Sequence, residues 1–261
     1  MKKIALISLV FCFFYAQQNF ATNPYWGKTG HRVIGEIAAA HLSKKARKNI
    51  DKLLKGQGLA LVSIYADEIK SDDRYDKYGP WHYVNIPFDK TYDTHPKNPK
   101  GDLIQGINTC VEILNDENSS NDDKVFHLKM LVHLIGDLHQ PLHTGLSENR
   151  GGNDIKLQWF WDDSNLHRVW DTDMIESYKM SYTELANNRE ELSKRQLAFY
   201  QEGELMDWVN ESRAYAKDIY NSTKAGDNIS YQYMYNWFPL VRTQLQKGGV
   251  RLAKVLNELF D

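Results

Sequence analysis

Apolar residues recur at three- and four-residue steps through most of the chain, the period of an amphipathic helix. Val33, Ile34, Ile37, Ala38 and Leu42 begin the first stripe, Ile50, Leu53 and Leu54 continue it, and Gly56 and Gly58 end it. Further stripes run from Ile104 to Leu114, which Gly101-Asp102 opens, and then over 124–138, 205–220 and 231–260. Between about Tyr75 and Lys100 the period dissolves among Pro, Asp, Asn and Tyr, so a long ordered loop is predicted there. Ile155 to Trp161 alternates after Gly151-Gly152 and predicts a short strand or β-hairpin near 155–161. No repeat, heptad run or low-complexity linker interrupts the pattern. It predicts an all-α fold, a single mainly helical domain.

Composition narrows the function classes. Hydrophobic residues at 42% and charged residues at 25% place this 261-residue chain among soluble globular proteins. Lys and Arg number 32 against 34 Asp and Glu, a formal charge of −2, so no global basic field draws in polyanions. Any nucleic-acid binding must come from a local site, which disfavours a protein that coats DNA.

The first residues read as a targeting segment. Lys2 and Lys3 precede an apolar stretch from Ile4 to Ala16, too short for a membrane anchor, with small residues at Ala16 and Ala21 for cleavage. Residues 1–25 are therefore expected to be a signal peptide and processed leader, and 26–261 the functional domain. Bulky Phe11 before Cys12 argues against lipoprotein-type cleavage. Removal of the leader leaves Cys110 as the sole thiol, so no internal disulfide can form and the core, with any bound metal, must hold the fold. A secreted or periplasmic monomer without stable membrane association is expected.

Candidate chemistry is concentrated in His133-Leu-Ile-Gly-Asp137-Leu-His139-Gln-Pro-Leu-His143. His133 and Asp137, four apart, project from one helical face, and an imidazole and a carboxylate presented together are zinc ligands. Asp137 can bridge two ions through its two oxygens. Pro141 breaks the helix and lets His143 turn towards a neighbouring ion, while Gly136 leaves room for close approach of another backbone. His167 and Asp171 repeat the four-residue spacing on another predicted helix. One His-x-x-x-Asp pair can be a surface ion pair; two pairs with His143 make a metal centre the better account. His31, Asp67 and His82 are further candidates, although singly each fits a helix-end, solvated or loop role. His139 points off the ligand face and reads as structural.

Together the segments WGKTGHRVIGEIA, YADEIK, WHYVNIP, HLIGDLHQPLH, GGN, NLHRVWD and GGVRLAKVLNELF, spread from Trp26 to Asp261, resemble the S1/P1 nuclease family. The resemblance implies the phospholipase C/P1 nuclease type of helical fold and three zinc ions. Asp67, His82, His133 and Asp137 would hold the first, and His143, His167 and Asp171 the second. The third would be held by Asp137, His31 and the α-amino group and carbonyl of Trp26, exposed by processing. Water between two of the ions would become acidic enough to supply hydroxide near neutral pH, with Asp67, Lys70 and Asp137 as the catalytic set and Lys70 also contacting phosphate. Tyr83 would be a stacking platform for an unpaired base, with Asn85, Gly152 and Asn153 as polar contacts. Fungal members carry an Asp where Asn85 stands, so base preference is expected to differ. The implied substrates are single-stranded DNA and RNA, cleaved to 5′-phosphorylated products, and 3′-nucleotides. A zinc-dependent phospholipase C is the alternative of related architecture, and a metal-binding structural protein a more distant one. Against the last, the predicted ligand set leaves coordination positions open for water, whereas structural sites close them.

Overall fold

The computed structural model describes residues 27–261, in which six longer helices form the frame. They are α1 (Lys28–His41), α2 (Lys44–Leu53), α3 (Leu103–Asn115), α4 (Asn121–Leu138), α5 (Leu205–Tyr220) and α6 (Tyr231–Phe260). Shorter helical turns connect them. The β-structure is a small three-stranded sheet in the order β2-β1-β3. β1 (Lys156–Trp159) and β2 (Asp162–Asn165) form an antiparallel hairpin with Lys156 opposite Asn165, and β3 (Asn228–Ile229) runs parallel to β1. The fold is mainly helical, as the periodicity predicts. Among the described residues no helix is long and apolar enough to cross a membrane.

α4 is the axis of the molecule. Ser120 caps its start by accepting from the Asp123 amide at 3.1 Å, and Asp122 and Asp123 in the first turn face the positive end of the helix dipole. From Leu128 to Leu138 the helix is buried on nearly every side, because α1, α3 and α6 all pack against it. His133 and Asp137 therefore sit in the core rather than at its edge. Pro141, at the first position of a 3₁₀ turn spanning Pro141–Thr144, ends the helical direction and carries His143.

α1 lies between α6 and the one-turn helix Leu59–Val62, and small residues set how close it comes. A Cβ at Gly35 would stand 2.8 Å from the Ala60 backbone, and one at Gly249 would stand 2.5 Å from Ile37 Cβ. That close packing fixes the helix that bears His31.

Two local features differ from the sequence pattern. The first apolar stripe is broken into α1 and α2, because Leu42 is extended and the Ser43 hydroxyl accepts from the Ala46 amide at 3.0 Å, capping a new helix. The predicted loop from Tyr75 begins within 3₁₀ turns over Asp73–His82. Its aromatic residues Tyr75, Tyr78 and Trp81 are three apart, the 3₁₀ period, and Tyr75 and Tyr78 pack on Phe126 of α4.

Gly249→Ala should lower unfolding free energy by about 1–3 kcal/mol through overpacking against Ile37. Urea denaturation would measure it; unchanged stability would mean that the α1–α6 contact can slide.

Candidate metal centre

Six separate segments deliver imidazoles and carboxylates to one buried cluster. α1 supplies His31 and the one-turn helix Tyr65–Glu68 supplies Asp67. His82 ends the 3₁₀ segment, His133 and Asp137 come from the last turns of α4, and His143 from the turn after it. His167 and Asp171 lie on a helical stretch whose second half, Val169–Asp173, is a π-helix. The wider π turn still brings His167 Nε2 to 3.1 Å from Asp171 Oδ2.

Asp137 is the hub. Its Oδ2 lies 2.9 Å from His82 Nδ1 and 3.2 Å from His133 Nε2, while its Oδ1 lies 3.4 Å from His31 Nε2. His133 Nε2 is also 3.6 Å from Asp67 Oδ1, and His143 Nε2 is 3.3 Å from Asp171 Oδ1. In a tetrahedral metal centre with bonds of about 2.1 Å, neighbouring ligand atoms stand about 3.4 Å apart. The observed separations fall around that edge length. Among the described residues three groups have the required convergence: His31, His133 and Asp137; Asp67, His82 and His133; and His143, His167 and Asp171. Asp137 Oδ1, His143 Nε2 and Asp171 Oδ2 are buried and make no hydrogen bond, so each keeps a lone pair or proton aimed into the cluster. These residues fit metal ions.

Backbone carbonyls set the ring orientations. Nδ1 of His133, His143 and His167 faces the carbonyl oxygens of Ser63, His82 and Gly151 at 2.6, 2.7 and 2.7 Å. A ring nitrogen facing a carbonyl carries the hydrogen and donates it, which leaves Nε2 for the cluster. These anchors carry no side-chain signal and escape a reading of residue types. Gly151 has φ of +64°, and a Cβ there would meet Leu142 O at 2.6 Å, so glycine is required where the chain turns its carbonyl to His167. Gly136 makes room for an imidazole rather than for backbone: a Cβ on it would stand 2.6 Å from His31 Nδ1.

The electrostatics follow from burial and charge. Burial opposes ionisation of Asp137, yet the imidazoles of His133, His143 and His82 hold its carboxyl well below the usual range. Burial also opposes ionisation of Asp171, and His167 and His143 outweigh it. Burial and the Lys70 cation push His82 down to about 4. Burial would lower His143 too, but Asp137 and Asp171 raise it to about 9. The carboxylates thus hold positive charge in the core as imidazolium protons, and metal ions are the alternative to those protons.

Lys70 stands beside the cluster, its Nζ 2.8 Å from Asp67 Oδ1. Tyr83, 42% exposed, and Asn85 line a cavity of about 370 Å³ next to the His82 strand of chain. Its lining also includes Tyr92, His95, Lys97 and Arg150, to which no sequence motif points. Gly152 and Asn153 are not part of that lining. Gly152 packs on the His167 backbone at φ +88°, and the Asn153 amide donates to Arg150 O at 2.8 Å. His139 is buried; its Nδ1 donates to Ile135 O and its Nε2 accepts from Arg251, a structural place away from the ligand atoms. Trp26 lies outside the described residues, as does the whole leader.

A sequence model of the S1/P1 nuclease family matches residues 26–261. The chain belongs to the S1/P1 nuclease family. As a member it is a nuclease, a hydrolase of phosphodiester bonds. This S1/P1 nuclease is similar to Endonuclease 2 of Arabidopsis thaliana, 29% identical over 90% of each chain. Similarity extends to Endonuclease 4 of the same plant, 30% identical over 90% of this chain and 89% of the relative. Nuclease S1 of Aspergillus oryzae is 27% identical over 89% of this chain and 91% of its own.

Gly136→Ala should displace His31 and lower bound metal while the helical circular-dichroism spectrum persists. Full metal content in that variant would remove His31 from the ligand set.

Proposed function

We propose that this protein is a zinc nuclease, exported after loss of residues 1–25, that cleaves single-stranded DNA and RNA to 5′-phosphorylated products and removes phosphate from 3′-nucleotides. The observation that carries the reading is the convergence of five imidazoles and three carboxylates on Asp137 and Asp171, in groups of tetrahedral spacing. Asp67, His82, His133 and Asp137 would hold one zinc, and His143, His167 and Asp171 a second. Asp137 and His31 would share a third with the amine and carbonyl of Trp26. Support for that last assignment is the Gly27 amide, which donates to Asp171 O at 2.7 Å and so ties the start of the domain to the centre.

Zinc ions bound there would neutralise charge on the phosphoryl oxygens and acidify adjacent water. The chain's own residues then bind and orient the substrate. Lys70, held by Asp67, presents a cation to phosphate close to the centre. Tyr83 offers an exposed ring face to an unpaired base, which a duplex would keep stacked away. Asn85 Oδ1 is buried without a hydrogen bond and can accept from a base edge, while its amide can donate. Gly152 and Asn153 are the further polar contacts in this reading, with the Asn153 side-chain Oδ1 as the acceptor on offer.

Purified protein should contain about three zinc ions per chain and hydrolyse single-stranded DNA and RNA faster than duplex DNA, with phosphatidylcholine left intact. Phosphatidylcholine turnover without nucleic-acid cleavage would replace the nuclease reading with a phospholipase one, and absence of stoichiometric zinc would end both. His143→Ala should lose one zinc and most turnover while remaining helical; full activity with two ions would overturn the three-zinc assignment. Asn85→Asp should change the ranking of homopolymer substrates more than the maximal rate. An unchanged ranking would take Asn85 out of base recognition.

A further inference from the structure

We propose that Gln140 is a positioning residue that assembles the His143–His167–Asp171 site by bonding two distant segments to each other. The inference rests on the reading that this group holds a zinc ion. Gln140 lies between α4 and the His143 turn and is 1% exposed. Its four polar groups are all used. The backbone N–H donates to Asp137 O at 3.0 Å, and the backbone carbonyl accepts from the His143 amide at 3.0 Å. In the side chain, Oε1 accepts from the Leu142 amide at 2.6 Å, and Nε2 donates to Asp171 Oδ1 at 2.5 Å.

Chemistry fixes which end of the amide is which. Only the oxygen can accept from an N–H, and only the nitrogen can face a carboxylate without repulsion. The oxygen end holds the 3₁₀ turn that presents His143. The nitrogen end reaches Asp171, 31 residues further along the chain. Asp171 Oδ1 is thereby oriented, and Oδ2 is turned towards His167 Nε2. The carboxylate torsion of an Asp is soft, so without this donor the Asp171 carboxylate could rotate away from the two imidazoles. A buried amide whose oxygen and nitrogen each bond a different ligand-bearing segment is the kind of outer partner whose loss weakens metal binding about 10–100-fold.

The test uses the zinc-loaded full-length domain and a competing chelator, with bound zinc counted by native mass spectrometry as chelator is raised. Gln140→Met removes both side-chain hydrogen bonds at similar volume. Gln140→Glu keeps the acceptor for the Leu142 amide and exchanges the donor for a charge that repels Asp171, so it isolates the contact with the ligand. His167→Ala serves as the reference for loss of that ion. Both Gln140 variants should release one zinc at about 10–100-fold lower chelator concentration, with the remaining ions held as in the parent. Adding His167→Ala to either should remove no further ion. Wild-type release curves in Gln140→Glu, or equal weakening of every ion, would overturn the positioning role. If His167→Ala itself kept the full zinc complement, the fault would lie in the ligand assignment beneath, and the proposal would fall with it. Should Gln140→Met not fold, the Gln140→Glu curve alone decides.

Discussion

The structure depends on keeping an ionised Asp137 inside the core. An isolated carboxylate there would carry an effective penalty of several kcal/mol, and a carboxyl normally escapes it by taking up a proton. Here imidazoles from α1, α4, the 3₁₀ segment before residue 83 and the turn after α4 surround it, and those of His133, His143 and His82 keep the proton off. Each of these segments is locked to the others by that need. The helical frame and the chemistry are therefore one construction: losing any one imidazole while the core stays closed leaves the buried charge less compensated.

The metal-ligand geometry was legible in the sequence where a residue's neighbour lies a fixed number of positions away. His133 and Asp137 follow from helical spacing, and His167 with Asp171 satisfy the same rule even though a π-helix carries them, since the extra width is absorbed without separating the pair. The grouping of His31, Asp67 and His82 with them rests on tertiary packing, which family motifs carry and periodicity does not. Other features were legible only in part. Ser43 is an evident cap residue, yet the apolar stripe runs through it, so the break after Leu42 was hidden by continuity on either side. The three-residue spacing of Tyr75, Tyr78 and Trp81 was a usable 3₁₀ signal inside a segment whose composition reads as loop. Gly136 announces close approach but not by what, and an imidazole from another helix leaves no local trace. Gln140 in Gln-Pro reads as an ordinary turn residue until the fold brings Asp171 beside it.

Charge is distributed on the same local principle. The chain as a whole is close to neutral, at −2, so attraction of a polyanion falls to groups placed beside the centre. Lys70 is held there by Asp67, and Lys97 and Arg150 stand on the rim of the cavity that contains Tyr83 and Asn85. Lys70 and Arg150 are each paired with a carboxylate, Asp67 and Asp154, so these cations are held in place beside the centre rather than spread over the surface.

Three imidazoles take their tautomer from main-chain oxygens of Ser63, His82 and Gly151. A carbonyl is common to every amino acid, so the identity of the side chain at position 63 is released from any duty in holding His133. At 151 the opposite holds, because a Cβ on the left-handed backbone would collide with the Leu142 carbonyl. Two positions with the same task thus differ in evolutionary freedom: one can drift while the chain path is kept, and the other is pinned by stereochemistry.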